Sequence, residues 1–278
     1  MESSSRLWEI DTLRGVAILM MILYHTVFDL TFFALYPVDA LSGFWRFFAY
    51  ATASLFLFIA GVSLVISHDR AAPMLTGFDL TKKFLIRGAG IFALGLLVTL
   101  ATWLYLQEGF VIFGILHLIG ISVMISPFFY RFGKWNIAAG VACILIGFFV
   151  VSTLGPVYLQ VFGIEPAGSW SVSYTPIITW EPAGTLLSLI SLPLGIHSST
   201  FWSVDYTPLF PWFGVVLIGM GVSSILYAGG VRQFAIRTLP DFFITPLSFL
   251  GRHSLVIYLI HQPIIILLLG ITTGTPVL

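Results

Sequence analysis

Apolar residues run along this chain in long stretches separated by short polar clusters, at about 12–36, 44–67, 84–106, 109–130, 135–154, 208–228 and 246–270. Each is long enough to cross a hydrocarbon core of roughly 30 Å as a helix. The pattern predicts seven spans. Between the fifth and sixth it breaks down. Residues 155–207 contain Pro156, Pro166, Pro176, Pro182 and Pro193, with Trp170, Trp180 and Trp202 among them. The inner apolar piece, 185–195, is too short and too proline-interrupted to span, so it reads as re-entrant or interfacial. A second short piece at 156–163 would add an eighth crossing. No internal repeat or low-complexity tract divides the chain, so the expectation is an all-α polytopic transmembrane bundle forming one domain, 1–278.

Composition supports this class. The chain is 58% hydrophobic and 9% charged, whereas soluble domains carry about 25% charged residues. The charges are also sorted. Arg6, Arg14, Arg70, Lys82, Lys83, Arg87, Arg131, Lys134, Arg232, Arg237 and Arg252 precede the first span or follow spans two, four and six, against Arg46 alone on the other side. That bias predicts a cytoplasmic amino terminus and an outward loop at 155–207, which holds Glu165, Glu181, His197 and Asp205 but no Lys or Arg. Cys143 is the one cysteine, which excludes an internal disulfide and a thiol metal cluster. No P-loop, dinucleotide-binding glycine pattern, zinc-binding HExxH or CxxC is present, and neither metal nor nucleic acid is expected.

The chemistry concentrates in the first span. Asp11, Arg14, His25 and Asp29 lie at roughly 60°, 0°, 20° and 60° around a helix, on one narrow stripe. Arg14 and His25 stand about three turns, ~16 Å, apart along it. Ionisable groups at such depth usually face a bundle interior or a water-filled cavity. Asp11 with Arg14 also fits a simple interfacial ion pair. His25 and Asp29, one turn apart and deeper, are the first catalytic candidates, with Asp29 expected to fix the tautomer of His25. His117 lies between Gly114 and Gly120, which permit a close helix contact. A hydrogen-bonded core histidine and a substrate or oxyanion donor weigh equally there. In the last span Ser254, Tyr258 and His261 share a face, and Pro263 is expected to open the helix beside His261. This makes Tyr258 and His261 further substrate or oxyanion candidates. Lys82, Lys83 and Arg87 cluster at the start of the third span, level with Arg14. They suit the phosphates of a cytoplasmic nucleotide-type ligand or the headgroups of anionic lipids.

In order along the chain, IDTLRGVAILMMILYH with TVFDL, FLFIAGVSL, FGILHLIG, PLFPWFG and LGRHSLVIYLIHQP resemble bacterial and archaeal relatives of the heparan-α-glucosaminide N-acetyltransferase catalytic domain. The spacing of Arg14 and His25 is also similar to that of type 3 acyltransferases. The resemblance implies a multi-pass protein of a prokaryotic cytoplasmic membrane. It would take an acetyl or other acyl group from cytoplasmic acetyl-CoA to an amino sugar or other glycan on the outer side, among membrane lipids and as a possible homodimer. Animal members carry a histidine in the outward loop after the first span and an asparagine near that span's end. Here His25 stands where that asparagine falls and 36–44 has no histidine, so chemistry is assigned to His25. Arg14, Arg87, Lys82 and Lys83 would then hold the CoA phosphates. Intramembrane His, Asp and Arg also mark ion pathways, so a secondary transporter or proton-coupled channel is the alternative class, although no inverted repeat supports it.

Overall fold

A computed structural model describes residues 6–75, 77–154, 191–197, 201–237 and 240–274. The expected short elements at 156–163 and over most of 185–195 lie outside these residues. Among the described residues the regular elements are helices: α1 (Trp8–Phe32), α2 (Gly43–Ala71), α3 (Gly77–Leu106), α4 (Ile115–Phe129), α5 (Asn136–Leu154), α6 (Leu209–Leu226), α7 (Asp241–Arg252) and α8 (Ser254–Thr273). Six stretches among the described residues are long and apolar enough to cross a membrane. One of them, Ile115–Phe149, contains both α4 and most of α5. A 3₁₀ turn over Tyr130–Trp135, with Gly133 at φ 50°, separates those two helices, and about seven spans result.

The chain divides into two compact units. One comprises Met1–Ile59 and Ala235–Leu278, the other Ala60–Phe234. In the first, α1 packs along α7 with no side chain between the backbones. A Cβ on Gly15 would overlap the Leu247 carbonyl, and one on Gly251 would overlap the Asp11 carbonyl. Small residues allow this approach where lipid-facing helices gain nothing from apolar burial alone. Thr12 and Ser248 close the same crossing with a 3.0 Å hydroxyl–hydroxyl hydrogen bond. α1 ends where Ala34 turns to φ 53°. The Thr31 hydroxyl then donates to the Val38 carbonyl (2.7 Å) and accepts from the Ala40 amide (3.2 Å), which ties down the turn before α2.

Two predicted boundaries in the second half of the chain move. The last apolar run, 246–270, is two helices, because His253 leaves the helical region (φ −100°, ψ 15°). α8 nevertheless runs unbroken through Pro263, so the break expected beside His261 is absent. The fourth run begins as extended chain. The Val204 amide donates to Gly109, the Thr207 amide donates to Phe113, and Phe113 bridges Tyr206. Helix α4 therefore starts only after Gly114. Gln107 at φ 61° and Gly109 at φ 66° turn the chain into this strap.

In the second unit α3 pairs with α4, α5 with α6, and α6 with the second part of α2. At Gly140 or Gly214 a Cβ would sit 2.5 Å from the other glycine's carbonyl oxygen. Gly61 meets the backbone of Val216, and the Ser223 hydroxyl donates to the Val62 carbonyl at 3.1 Å. Asp205 joins the strap to α4 by accepting from the Ile115 amide (3.4 Å) and the Thr207 hydroxyl (2.9 Å).

Two outcomes follow. Replacing Gly15 or Gly251 with Val forces the backbones of α1 and α7 apart, at a cost on the order of 3 kcal/mol. Thermal unfolding in detergent should show a clear loss for each and a smaller one for Gly90→Val, where nothing lies nearby. The second concerns pH. Burial raises the Asp205 carboxyl above its usual range, against the lowering effects of Thr207 and Ile115. The folded state then holds this proton more tightly than the unfolded chain. Its stabilising effect is full below the ordinary aspartate range and fades as pH climbs through the raised value. The melting temperature should fall over that acidic window, and Asp205→Asn should flatten the slope.

Candidate active site

Helices α1 and α8 of the first unit face each other through two polar rungs. In the first, His25 Nδ1 lies 2.7 Å from His261 Nε2, and His261 Nδ1 lies 2.6 Å from the Tyr258 carbonyl oxygen. A carbonyl only accepts, so His261 Nδ1 carries the hydrogen. With both rings neutral, His261 Nε2 is then an acceptor and His25 Nδ1 its donor. The consequence is directional. His25 Nε2 keeps its lone pair and is the basic end of a chain that runs His25, His261, Tyr258 carbonyl.

The second rung joins Gln262 to Asp29. Gln262 Nε2 donates to Asp29 Oδ1 at 2.7 Å. Asp29 is 2% exposed. Its Oδ2 and the Gln262 Oε1 are both buried and find no hydrogen-bond partner among the described residues. The pairing expected from the i, i+4 spacing is therefore replaced. His25 is oriented by His261 rather than by Asp29, and Asp29 turns to Gln262. Both partners come from the adjacent positions 261 and 262 on α8, which the last-span motif contained without revealing whom they would meet.

The other predicted residues separate. Arg14 pairs with Asp11 at 3.3 Å within α1, as the interfacial reading had it. Tyr258 contributes its carbonyl to His261, and its ring centroid stands 5.6 Å from that imidazole. Lys82, Lys83 and Arg87 belong to the second unit. All three are exposed. Lys83 lies 5.9 Å over the Phe84 ring, and Arg87 reaches Ser67 at 3.5 Å. His117, also in the second unit, accepts from the Gly114 amide through Nδ1 (3.2 Å) and lies 3.4 Å from the Thr99 hydroxyl through Nε2. Phe113 stacks on it, and Gly95 leaves room for its ring. The ring caps the start of α4, and that accounts for its burial.

Sequence reasoning passed over one cluster in the second unit. His68 and Asp69 pair at 3.1 Å, Asp69 accepts from the Gly229 amide at 3.0 Å, and the His68 ring packs on Tyr130. Together with Asn136 and Ser224 they line a cleft of about 140 Å³. The adjacent acid and histidine at the end of the second apolar run were the available signal. Among the described residues no group of three or more His, Cys, Asp or Glu side chains is placed to hold a metal ion.

The family model described as heparan-alpha-glucosaminide N-acetyltransferase, catalytic, matches residues 6–188 and 183–263. The chain belongs to this family. No curated protein and no solved structure matches it. Membership in the heparan-alpha-glucosaminide N-acetyltransferase family, with the apolar helices, makes the chain a multi-pass membrane acetyltransferase in class. Both rungs of the first unit lie on helices inside the matched range, since 25, 29, 261 and 262 all fall within it.

The tautomer chain has a direct readout. Nitrogen-15 spectra of His-labelled protein at neutral pH should show His25 and His261 both protonated at Nδ1, with an unprotonated Nε2 on each. A proton on Nε2 of His25 would overturn this assignment of hydrogens.

Proposed function

We propose that this protein carries an acetyl group from acetyl-CoA on the cytoplasmic side of the membrane to an amino or hydroxyl group of a sugar on the outer side, with His25 as general base. The bare Nε2 of His25, aimed by the His261–Tyr258 carbonyl chain, is the observation that carries this reading. Acyl transfer from a thioester needs a base for the attacking group, a donor for the oxyanion and a proton for the leaving thiolate. A neutral imidazole serves the first and last of these needs near neutral pH.

In the step proposed, His25 Nε2 takes the proton of the attacking N–H or O–H as the new bond to the acetyl carbon forms. The thioester carbonyl becomes an oxyanion, and the Tyr258 phenol is the donor assigned to it in this reading. Collapse of the tetrahedral intermediate breaks the C–S bond. The imidazolium returns its proton to the thiolate, and CoA thiol and acetylated sugar leave. His261 is a positioning residue that acts through His25. Within the first unit, Arg14 supplies a bidentate donor for a CoA phosphate, and Lys82, Lys83 and Arg87 are phosphate-binding candidates of the second unit taken by itself. The amino terminus and these cations lie on the cytoplasmic side in this reading, which the charge bias along the chain supports.

Purified protein incubated with acetyl-CoA and glucosamine should release CoA thiol in proportion to the sugar. His25→Ala should lower that rate by at least about a hundredfold, the usual range for a positioned base, while acetyl-CoA still shifts the melting temperature of the variant. Normal turnover by His25→Ala would end the assignment of the base.

A further inference from the structure

The turn between α4 and α5 in the second unit is pinned from behind. Asn136, 1% exposed, donates both amide hydrogens, to the Phe129 and Gly133 carbonyls at 3.0 Å each. Gly133 at φ 50° reverses the chain there. Tyr130 turns inward, with its hydroxyl 2.9 Å from Ser126 Oγ and its ring on His68. The other side chains of the turn, Arg131, Phe132, Lys134 and Trp135, are exposed. The Arg131 guanidinium lies 4.5 Å from the ring centroid of Phe128 and 5.0 Å from that of Phe132. A guanidinium held on aromatic faces keeps its N–H edge free for an anion. Lys134 adds a second cation three positions on. Neither cation forms an ion pair among the described residues, and no acid occurs in the sequence between Glu108 and Glu165. Asp69, which lines the cleft with Tyr130, is already engaged by His68 and the Gly229 amide.

We infer that the α4–α5 turn is a docking site for one anionic phospholipid. Its phosphodiester meets Arg131 and Lys134, and its glycerol and acyl carbons lie along Phe128, Phe132, Trp135 and Ile125. Those four apolar side chains are all exposed, and Ile125 and Phe128 share a face of α4 at i, i+3. A small soluble anion has no use for them, whereas a lipid covers them while its phosphate reaches the cations. The fork of Arg131 and the point charge of Lys134 suit a phosphodiester. A choline headgroup brings a cation of its own, which these two repel. Charge bias along a chain asks only that cations stand on one side of the membrane. It does not ask for a guanidinium clasped by two rings on a pinned turn. The site belongs to the second unit alone and does not depend on the acyl transfer proposed at His25.

The probes are dioleoylphosphatidylglycerol, dioleoylphosphatidylcholine and inorganic phosphate, each titrated into the 278-residue chain in neutral detergent at matched ionic strength. A ligand stabilises the state it binds, so the melting temperature is the readout. Phosphatidylglycerol should raise it at least about twice as far as phosphatidylcholine, and inorganic phosphate should leave it in place. Arg131→Gln combined with Lys134→Gln should raise the half-saturating phosphatidylglycerol concentration by at least about tenfold. Phe128→Leu combined with Phe132→Leu, which keeps apolar surface and removes the rings, should raise it too. Lys82→Gln, which removes another exposed cation of the same unit, should not. Equal stabilisation by the two lipids overturns the inference on the wild type alone, without recourse to any variant. So does a response to inorganic phosphate as large as that to phosphatidylglycerol, which gives the cations to a soluble anion. An equal weakening in Lys82→Gln overturns it as well, because net charge then accounts for the lipid preference.

Discussion

Hydrocarbon offers no partner to a stranded polar group, and the first unit is arranged around that constraint. Four polar side chains at depth, His25, Asp29, His261 and Gln262, bring more hydrogen-bonding capacity than lipid would tolerate. They are accommodated only because α1 and α8 turn them toward each other. The glycine contact of α1 with α7 works in the same direction. Gly15 and Gly251 meet without side chains between them, which fixes the rotation of α1 about its own axis. Ten residues further, about 15 Å along the helix, that rotation decides which way His25 points. A β-branched residue at position 15 would therefore disturb more than a local contact.

The histidines show why burial alone does not find a site. His117 is 1% exposed and His261 is 7% exposed, and both have two engaged nitrogens. His117 spends them on an amide and a hydroxyl of its own unit, so the ring completes a helix start and leaves nothing over. His261 spends one on a backbone carbonyl and the other on His25, so its engagement passes a direction to a neighbour. What remains after the hydrogen bonds are assigned is a lone pair on His25 and two oxygens on Asp29 and Gln262. Unspent capacity, more than residue type, sets His25 apart from His117.

Much of this was legible in the sequence. Hydropathy located the spans, because twenty apolar residues have few alternatives to crossing a membrane. Helical periodicity placed His25 and Asp29 on one stripe, and the last-span motif contained His261 and Tyr258. The misreadings share a cause. Spacing reports which residues share a face of one helix, so the i, i+4 relation of His25 and Asp29 invited a bond between them. The partners that win lie 236 and 233 positions away, on a helix whose facing is set by packing. The late start of α4 has the same origin. Residues 109–114 are apolar enough to extend a span, but Gly109 at φ 66° turns the chain, and 204–207 supplies hydrogen bonds that hold the segment extended.

In the proposed acyl transfer the base is backed by a carbonyl rather than by a carboxylate. Had Asp29 been hydrogen-bonded to His25, proton uptake would be eased by a fixed negative charge in contact. In the arrangement found, the chain from His25 to the Tyr258 carbonyl is uncharged before reaction. An imidazolium formed on His25 has a neutral ring and a backbone dipole behind it, with the Asp29 carboxylate one turn away to temper its charge. Asp29 is thereby released from orienting the base and keeps an oxygen for another donor. In the proposed mechanism, orientation and charge, combined in one acid in a serine-hydrolase triad, are divided between His261 and Asp29.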